Sequence, residues 1–241
     1  IEGAPLRYRA RLPEEALALR GVRAEVRYYR SDDLPRLAAQ ADAVVFYRVP
    51  ATTQILELIA SIRARPEPVP VLYDIDDLVF DPDLHHEIDP LLKDLPAIDR
   101  QRYWEGVRRY RTTLEHCDAY IGSTEALCTA ATEASGIPSF RFANGVGLHL
   151  ARASDVALRR DRKPGPLRIG YFSGTNTHNE DWAAIEPAVL EVLRQHPDVE
   201  LWLGGLLEPG PGVRMLGRRL VSRNTPARAA ASPIERCRGR R

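Results

Sequence analysis

Apolar positions recur in two periods along the first 205 residues. Short β-prone runs stand at 24–29, 42–47, 69–73, 119–122, 140–142, 167–172 and 199–203. Between them apolar residues fall at helical spacing: Leu12, Ala16, Leu17 and Leu19 in 9–20; Ile55, Leu58, Ile59 and Ile62 after Thr52 or Thr53; Trp182, Ile185, Val189, Leu190 and Val192 after Glu180. Further helices are expected over 100–116 and from Ser123 or Thr124 to Ser135, with Gly21 and Gly136 as stops. Asp32 and Asp33 open a short helix toward Ala41. Strands that alternate with helices predict an α/β protein with parallel sheets. Residues 1–9 read as the end of a first strand and its loop. Asn144-Gly145 reads as a turn where the backbone adopts positive φ.

The stretch 69–80, Val-Pro-Val-Leu-Tyr-Asp-Ile-Asp-Asp-Leu-Val-Phe, organises the first half. Its apolar start follows a Pro-rich loop and reads as a central strand. Its end carries Asp74, Asp76 and Asp77, at the edge where open α/β sheets bind ligands. Three acids so close need cations, donors or water around them.

The pattern loses apolar content over 151–166, which predicts a linker between a domain at 1–150 and a second one from 167. The second begins with one β-α-β unit, 167–205. Its loop Ser173-Gly174-Thr175-Asn176-Thr177 is small and hydrogen-bonding, and Thr177 with Glu180 has capping-box spacing. Such a loop before a helix suits a phosphate. It has neither G-x-G-x-x-G nor a Walker sequence. Beyond Gly205 neither period is visible, and residues 206–241 read as a basic tail, disordered or aberrant.

Charge sharpens this division. The 241 residues carry a formal net charge of +1, but 206–241 hold nine Arg and two Glu, leaving the body mildly acidic. At 44% hydrophobic and 28% charged the composition is that of a folded chain. Three cysteines without a C-x-x-C pair read as reduced thiols, and no apolar run is long enough to span a membrane. The polar stretch 81–98 reads as an irregular loop, and its adjacent His85 and His86 as solvated rather than metal-binding. The Arg- and Tyr-rich helix at 100–116 lacks any nucleic-acid motif and reads as an exposed face covering the sheet edge.

Two segments carry a family resemblance. Residues 70–80, Pro-Val-Leu-Tyr-Asp-Ile-Asp-Asp-Leu-Val-Phe, are similar to the DIDD segment of many bacterial group 1 glycosyltransferases, the retaining family 4 type with the GT-B fold. Residues 168–181, Arg-Ile-Gly-Tyr-Phe-Ser-Gly-Thr-Asn-Thr-His-Asn-Glu-Asp, resemble a "GYFSGTxTHxxD" segment of the same proteins. Arg7-Tyr8-Arg9 and Asn144-Gly145-Val146 fit the pattern more weakly. The resemblance covers about residues 3–205.

It implies a Rossmann-like amino-terminal domain that binds a glycan or lipid-linked acceptor, and a partial carboxyl-terminal domain that binds a nucleotide-sugar donor. The sugar would pass in a cleft between them with retention of configuration, without a metal or other cofactor. Asp76 and Asp77 would be the catalytic candidates; many relatives carry histidine at the position of Asp76. Gly3, Ser173, Gly174, Thr175 and His178 would face the donor. No nucleic-acid partner is implied. The family's setting is cytoplasmic polysaccharide or envelope-glycan assembly, compatible with peripheral contact at the inner face of the membrane. The family's E-x7-E pair does not occur after Gly205, so the expectation is a truncated second domain with weak or no turnover. Two rivals differ in class. Asp74-x-Asp76 also resembles the D-x-D of metal-dependent GT-A enzymes, and an acidic body with a basic tail would suit a non-enzymatic binding module.

Overall fold

The computed structural model describes residues 4–93, 95–160, 165–174, 179–216 and 220–223. It divides into two compact units, Ile1–Arg159 and Arg160–Arg241. Each is α/β with a parallel sheet, the class expected from the alternating pattern.

The first unit holds four strands, β1 (Val44–Tyr47), β2 (Val71–Asp74), β3 (Ala119–Gly122) and β4 (Ser139–Arg141), all parallel and in the order β1-β2-β3-β4. β2 is central, and Val71 and Tyr73 on it are fully buried. This is why its residues read as a continuous apolar run rather than an alternating one. Helix α4 (Thr53–Arg63) puts Ile55, Leu58, Ile59 and Ile62 into the same core, and α7 (Glu125–Ser135) adds Cys128 and Ala131. Both helices start as the sequence suggests. Thr52 Oγ1 accepts from the Ile55 amide and Thr124 Oγ1 from the Leu127 amide, each at 3.2 Å. Gly136 closes α7 at φ 75°. Two buried phenols tie the strands to following loops: Tyr120 donates to the Ile75 carbonyl at 2.6 Å and Tyr73 to the Val49 carbonyl at 3.4 Å.

Several expectations are corrected. The opening residues are expected to end a strand and its loop. From Ala4 they are helical, as α1 (Ala4–Leu6), a π-helical turn (Arg7–Arg11) and α2 (Leu12–Ala18). Residues 24–29 form no ladder. The stretch 81–98 is not irregular, because Asp81 accepts from the Asp83 amide and starts a chain of single turns: Pro82–Leu84, α5 (His85–Ile88) and Asp89–Leu92. Positive φ falls at Gly147 (74°), not Gly145, and a Cβ at 147 would overlap the side chain of Leu12. The expected linker opens inside a helix, α8 (Leu148–Leu158), which buries none of its residues. Short α3 (Leu34–Ala38) and long α6 (Ala97–Glu115) lie near their expected places.

The second unit has strands β5 (Leu167–Ser173), β6 (Val199–Gly205) and β7 (Leu220–Arg223), parallel and in that order. Helix α9 (Asn179–Gln195) lays Trp182 and Leu193 on Leu201 and Leu203. The sheet thus continues past Gly205, against the expectation of a featureless tail. Its helix α10 (Pro211–Arg214) is a single turn, too short to show a period, and β7 has only two apolar residues, Leu220 and Val221. The rest of the expected tail, 224–241, lies outside the described residues.

Candidate functional site

Two groups of side chains meet at the carboxyl edge of the first sheet. The inner group is built on Asp74, the last residue of β2. Arg9 Nε and Nη2 donate to its two carboxylate oxygens at 2.9 and 2.8 Å, and both side chains are nearly or wholly buried. Arg9 also donates to the Phe142 carbonyl and, at 3.1 Å, to Asn144 Oδ1. Its guanidinium lies over the Phe142 ring, 5.5 Å from the centroid. One buried cation therefore joins the first helical turns to β2 and to the segment after β4. All of this lies at the end of the sheet that the sequence marks through Asp74, Asp76 and Asp77. The weak Arg7-Tyr8-Arg9 and Asn144-Gly145-Val146 likenesses turn out to be two halves of one contact.

Burial pushes the Asp74 carboxyl up to about 6, with Asp76 adding to the rise; the hydrogen bonds and charge of Arg9 pull it back only in part. The sign of the linkage follows from the raised value. The folded state holds this proton more tightly than the unfolded chain, whose carboxyl titrates near 3.8. Stability from this group is complete below the unfolded value and is lost as pH rises through about 6. We expect the side-chain 13C resonance of Asp74 to titrate with a midpoint near 6, and Arg9→Gln to move that midpoint upward.

The outer group contains the predicted pair Asp76 and Asp77, and the structure brings them together around Arg48. Arg48 Nη1 lies 3.8 Å from Asp76, and Nη2 is hydrogen-bonded to Asp77. Tyr47 donates its hydroxyl to Asp76 at 3.2 Å. Burial, then Asp76, pushes the Tyr47 phenol well up, so it remains a donor. Tyr103 of α6 is close enough for Asp77 and Arg48 to act on its phenol, which burial raises first. Asp76 is mostly shielded, whereas Asp77 stays half-exposed. Arg48 adopts φ 48°, the one left-handed non-glycine among the described residues, and its amide still donates to the Asp74 carbonyl at 2.9 Å. An arginine in that conformation costs of the order of 1–2 kcal/mol. The position just past a buried strand was the only sequence signal for it.

Helix α6 does more than cover an edge. Arg109 donates to the Ala51 carbonyl at 2.8 Å while the Ala51 amide donates to the Arg109 carbonyl, which clamps the loop after β1. Among the described residues no three His, Cys, Asp or Glu side chains gather where a metal ion could sit. The D-x-D reading also loses one ligand, since both oxygens of Asp74 are taken by Arg9.

In the second unit Ser173 is buried at the end of β5, with exposed Gly174 following it. The Ser173 carbonyl accepts from the Leu206 amide at 3.2 Å. Asn179, the first residue of α9, accepts from the Glu208 amide at 3.1 Å, and Glu186 accepts from the Gly210 amide at 2.9 Å. The start of α9 is thus pinned to the loop that leaves β6. Gly3, Thr175 and His178 lie outside the described residues, as does Thr177 of the expected capping box.

No family model matches the chain, and no curated protein matches it. A solved structure with a similar chain path is that of Phytolacca americana UGT2 complexed with UDP-2fluoro-glucose and pterostilbene. It has 16% identity, a TM-score of 0.40, and coverage of 80% of this chain and 49% of that one. The chain therefore spans about half the length of that protein.

Proposed function

We propose that the chain is a GT-B-type glycosyltransferase polypeptide. Its second unit takes a nucleotide-sugar donor, and its first unit presents Asp76 and Asp77 to the transferred sugar or to a glycan or lipid-linked acceptor. One observation carries the reading. Both glycosyltransferase-like segments cross the carboxyl edge of a parallel sheet, with Asp76 and Asp77 just beyond β2 and Ser173-Gly174 at the end of β5. That edge is where open α/β sheets hold ligands.

The side chains suit the chemistry. In the first unit Asp77 is a half-exposed acceptor for a sugar hydroxyl, while Tyr47 and Arg48 hold Asp76 in one orientation. A carboxylate so held can stabilise positive charge that develops on a sugar ring during transfer with retention. In the second unit the 17-residue helix α9 starts at Asn179, five residues after Gly174, and its amino end favours a diphosphate.

Titration calorimetry with a panel of UDP-, GDP- and ADP-sugars tests the proposal. A saturable fit for at least one donor, with a dissociation constant of about 10 μM to 1 mM, is the expected result. Heats no larger than those of the free sugars, for every donor, would contradict it.

A further inference from the structure

We propose that α2 and α8 form a docking face for an anionic lipid bilayer, with its leucines among the acyl chains and its arginines at the headgroups. Large apolar side chains gather here in solvent. α8 buries none of its residues, and on it Leu150 is 52% and Leu158 68% exposed. Leu19, just past α2, is 64% exposed, and Val146, just before α8, is 56% exposed. Exposed apolar residues scattered singly need no partner, but a gathered patch marks an interaction surface.

The two helices are joined into one face. The Glu15 carboxylate of α2 accepts from the Leu148 amide at 3.1 Å, and Leu12 lies where a Cβ at Gly147 would fall. Between the helices runs a groove of ≈ 350 Å³. Leu12 and Ala16 of α2, Phe142 and Val146 of the segment before α8, and Leu148 and Ala151 of α8 line it. Among its described lining residues only Glu15 is charged, and the Leu148 amide already engages that carboxylate. The groove is thus apolar room of the size that an alkyl chain or a small apolar molecule fills.

The sequence of α8 suits the plane of a membrane surface. Leu150, Ala151, Ala157 and Leu158 fall on one stripe of the helix, because residues seven apart lie nearly two whole turns apart. His149, Arg152 and Arg159 fall on the opposite face. A basic amphipathic helix of this kind lies in the headgroup region with its apolar face toward the acyl chains.

Charge selects the occupant. Residues 4–23 and 142–159 hold six arginines besides the buried Arg9, and their only acids are Glu14, Glu15 and Asp155. Glu14 is paired with Arg11 at 3.0 Å. This face is therefore net positive on an otherwise mildly acidic body. It matches an anionic bilayer, to which each arginine near the surface adds attraction. The same face of a second copy would set arginine against arginine.

Flotation of the full 241-residue chain with phosphatidylcholine vesicles, made with or without phosphatidylglycerol, is the test. It is repeated on Leu150→Ser with Leu158→Ser, and on Arg152→Gln with Arg159→Gln. All four side chains are exposed, so the fold should survive both pairs, and circular dichroism checks that it does. The basic stretch 206–241 is common to every protein, so any binding that it supplies remains in the variants. The expected result is flotation with the anionic vesicles alone, weakened at least about 10-fold by either pair and weakened by added salt. No flotation, flotation that neither pair weakens, or equal flotation without phosphatidylglycerol would overturn the proposal. So would a dimer in solution that the leucine pair abolishes, since a second copy would then cover the face. The vesicle assay contains no nucleotide sugar, so its failure and a failure of donor calorimetry are separate results.

Discussion

Replacing Arg9 by methionine should destabilise the first unit by about 3–5 kcal/mol at neutral pH, because it strands a buried carboxylate. The Arg9 guanidinium meets both oxygens of Asp74, the Phe142 carbonyl and Asn144, with no solvent exposure of its own. Methionine fills similar volume but satisfies none of these acceptors. The loss should shrink below pH 6, where Asp74 is protonated in the fold and needs no cation. The paired change Arg9→Met with Asp74→Leu should recover much of the stability, since an apolar pair pays no desolvation cost. Urea melts of the wild type and the two variants at pH 5 and pH 8 measure all of this. An Arg9→Met protein as stable as wild type at pH 8 would show that the cation does not hold the helical run to the sheet.

Gly205→Ala should have the next largest effect, on the second unit. Gly205 ends β6 at φ 86°, and a Cβ there would overlap the carbonyl oxygen of Ser173, its ladder partner. Alanine must leave the left-handed region or push the β5 end aside. Either costs about 2–4 kcal/mol, the strained backbone plus the clash. Because the displaced residue is Ser173, donor affinity should fall along with stability. Gly174→Ala is the control: its Cβ would meet nothing within 4 Å, so the fold should keep its stability. A Gly205→Ala protein with unchanged melting and unchanged donor affinity would break the link between this ladder rung and the loop.

The long helices were legible because each obeys one period over enough residues, and β2 because it is an unbroken apolar run. β2 read as central because both its faces are buried, and α4 and α7 carried a threonine cap with an apolar stripe. What failed did so for identifiable reasons. α8 carries apolar Leu148, Leu150, Val156 and Leu158 but buries none of its residues, so its apolar positions mark no core face. α10 is a single four-residue turn, and β7 holds only two apolar residues, Leu220 and Val221, so neither stands out as an apolar run. Residues 24–29 have the right alternation, but a ladder depends on a neighbour that local sequence does not specify.

The site was half legible. Asp74, Asp76 and Asp77 stood out as a cluster at a strand end, yet they divide into two roles. Asp74 is consumed by a buried ion pair with a residue 65 positions away, and only Asp76 and Asp77 face the Arg48 group. Neither Arg9 nor Tyr47 has a local signature that marks it for that part. Their roles come from chain segments that meet only when the sheet forms.

The most direct test of the account is a two-dimensional 1H–15N spectrum of the chain with and without a saturating nucleotide sugar. The account predicts the largest shifts at Ser173, Gly174 and the first turn of α9, with the nucleotide sugar and with the nucleotide alone. Shifts confined to other surfaces, such as α8, or no shifts at all, would contradict it.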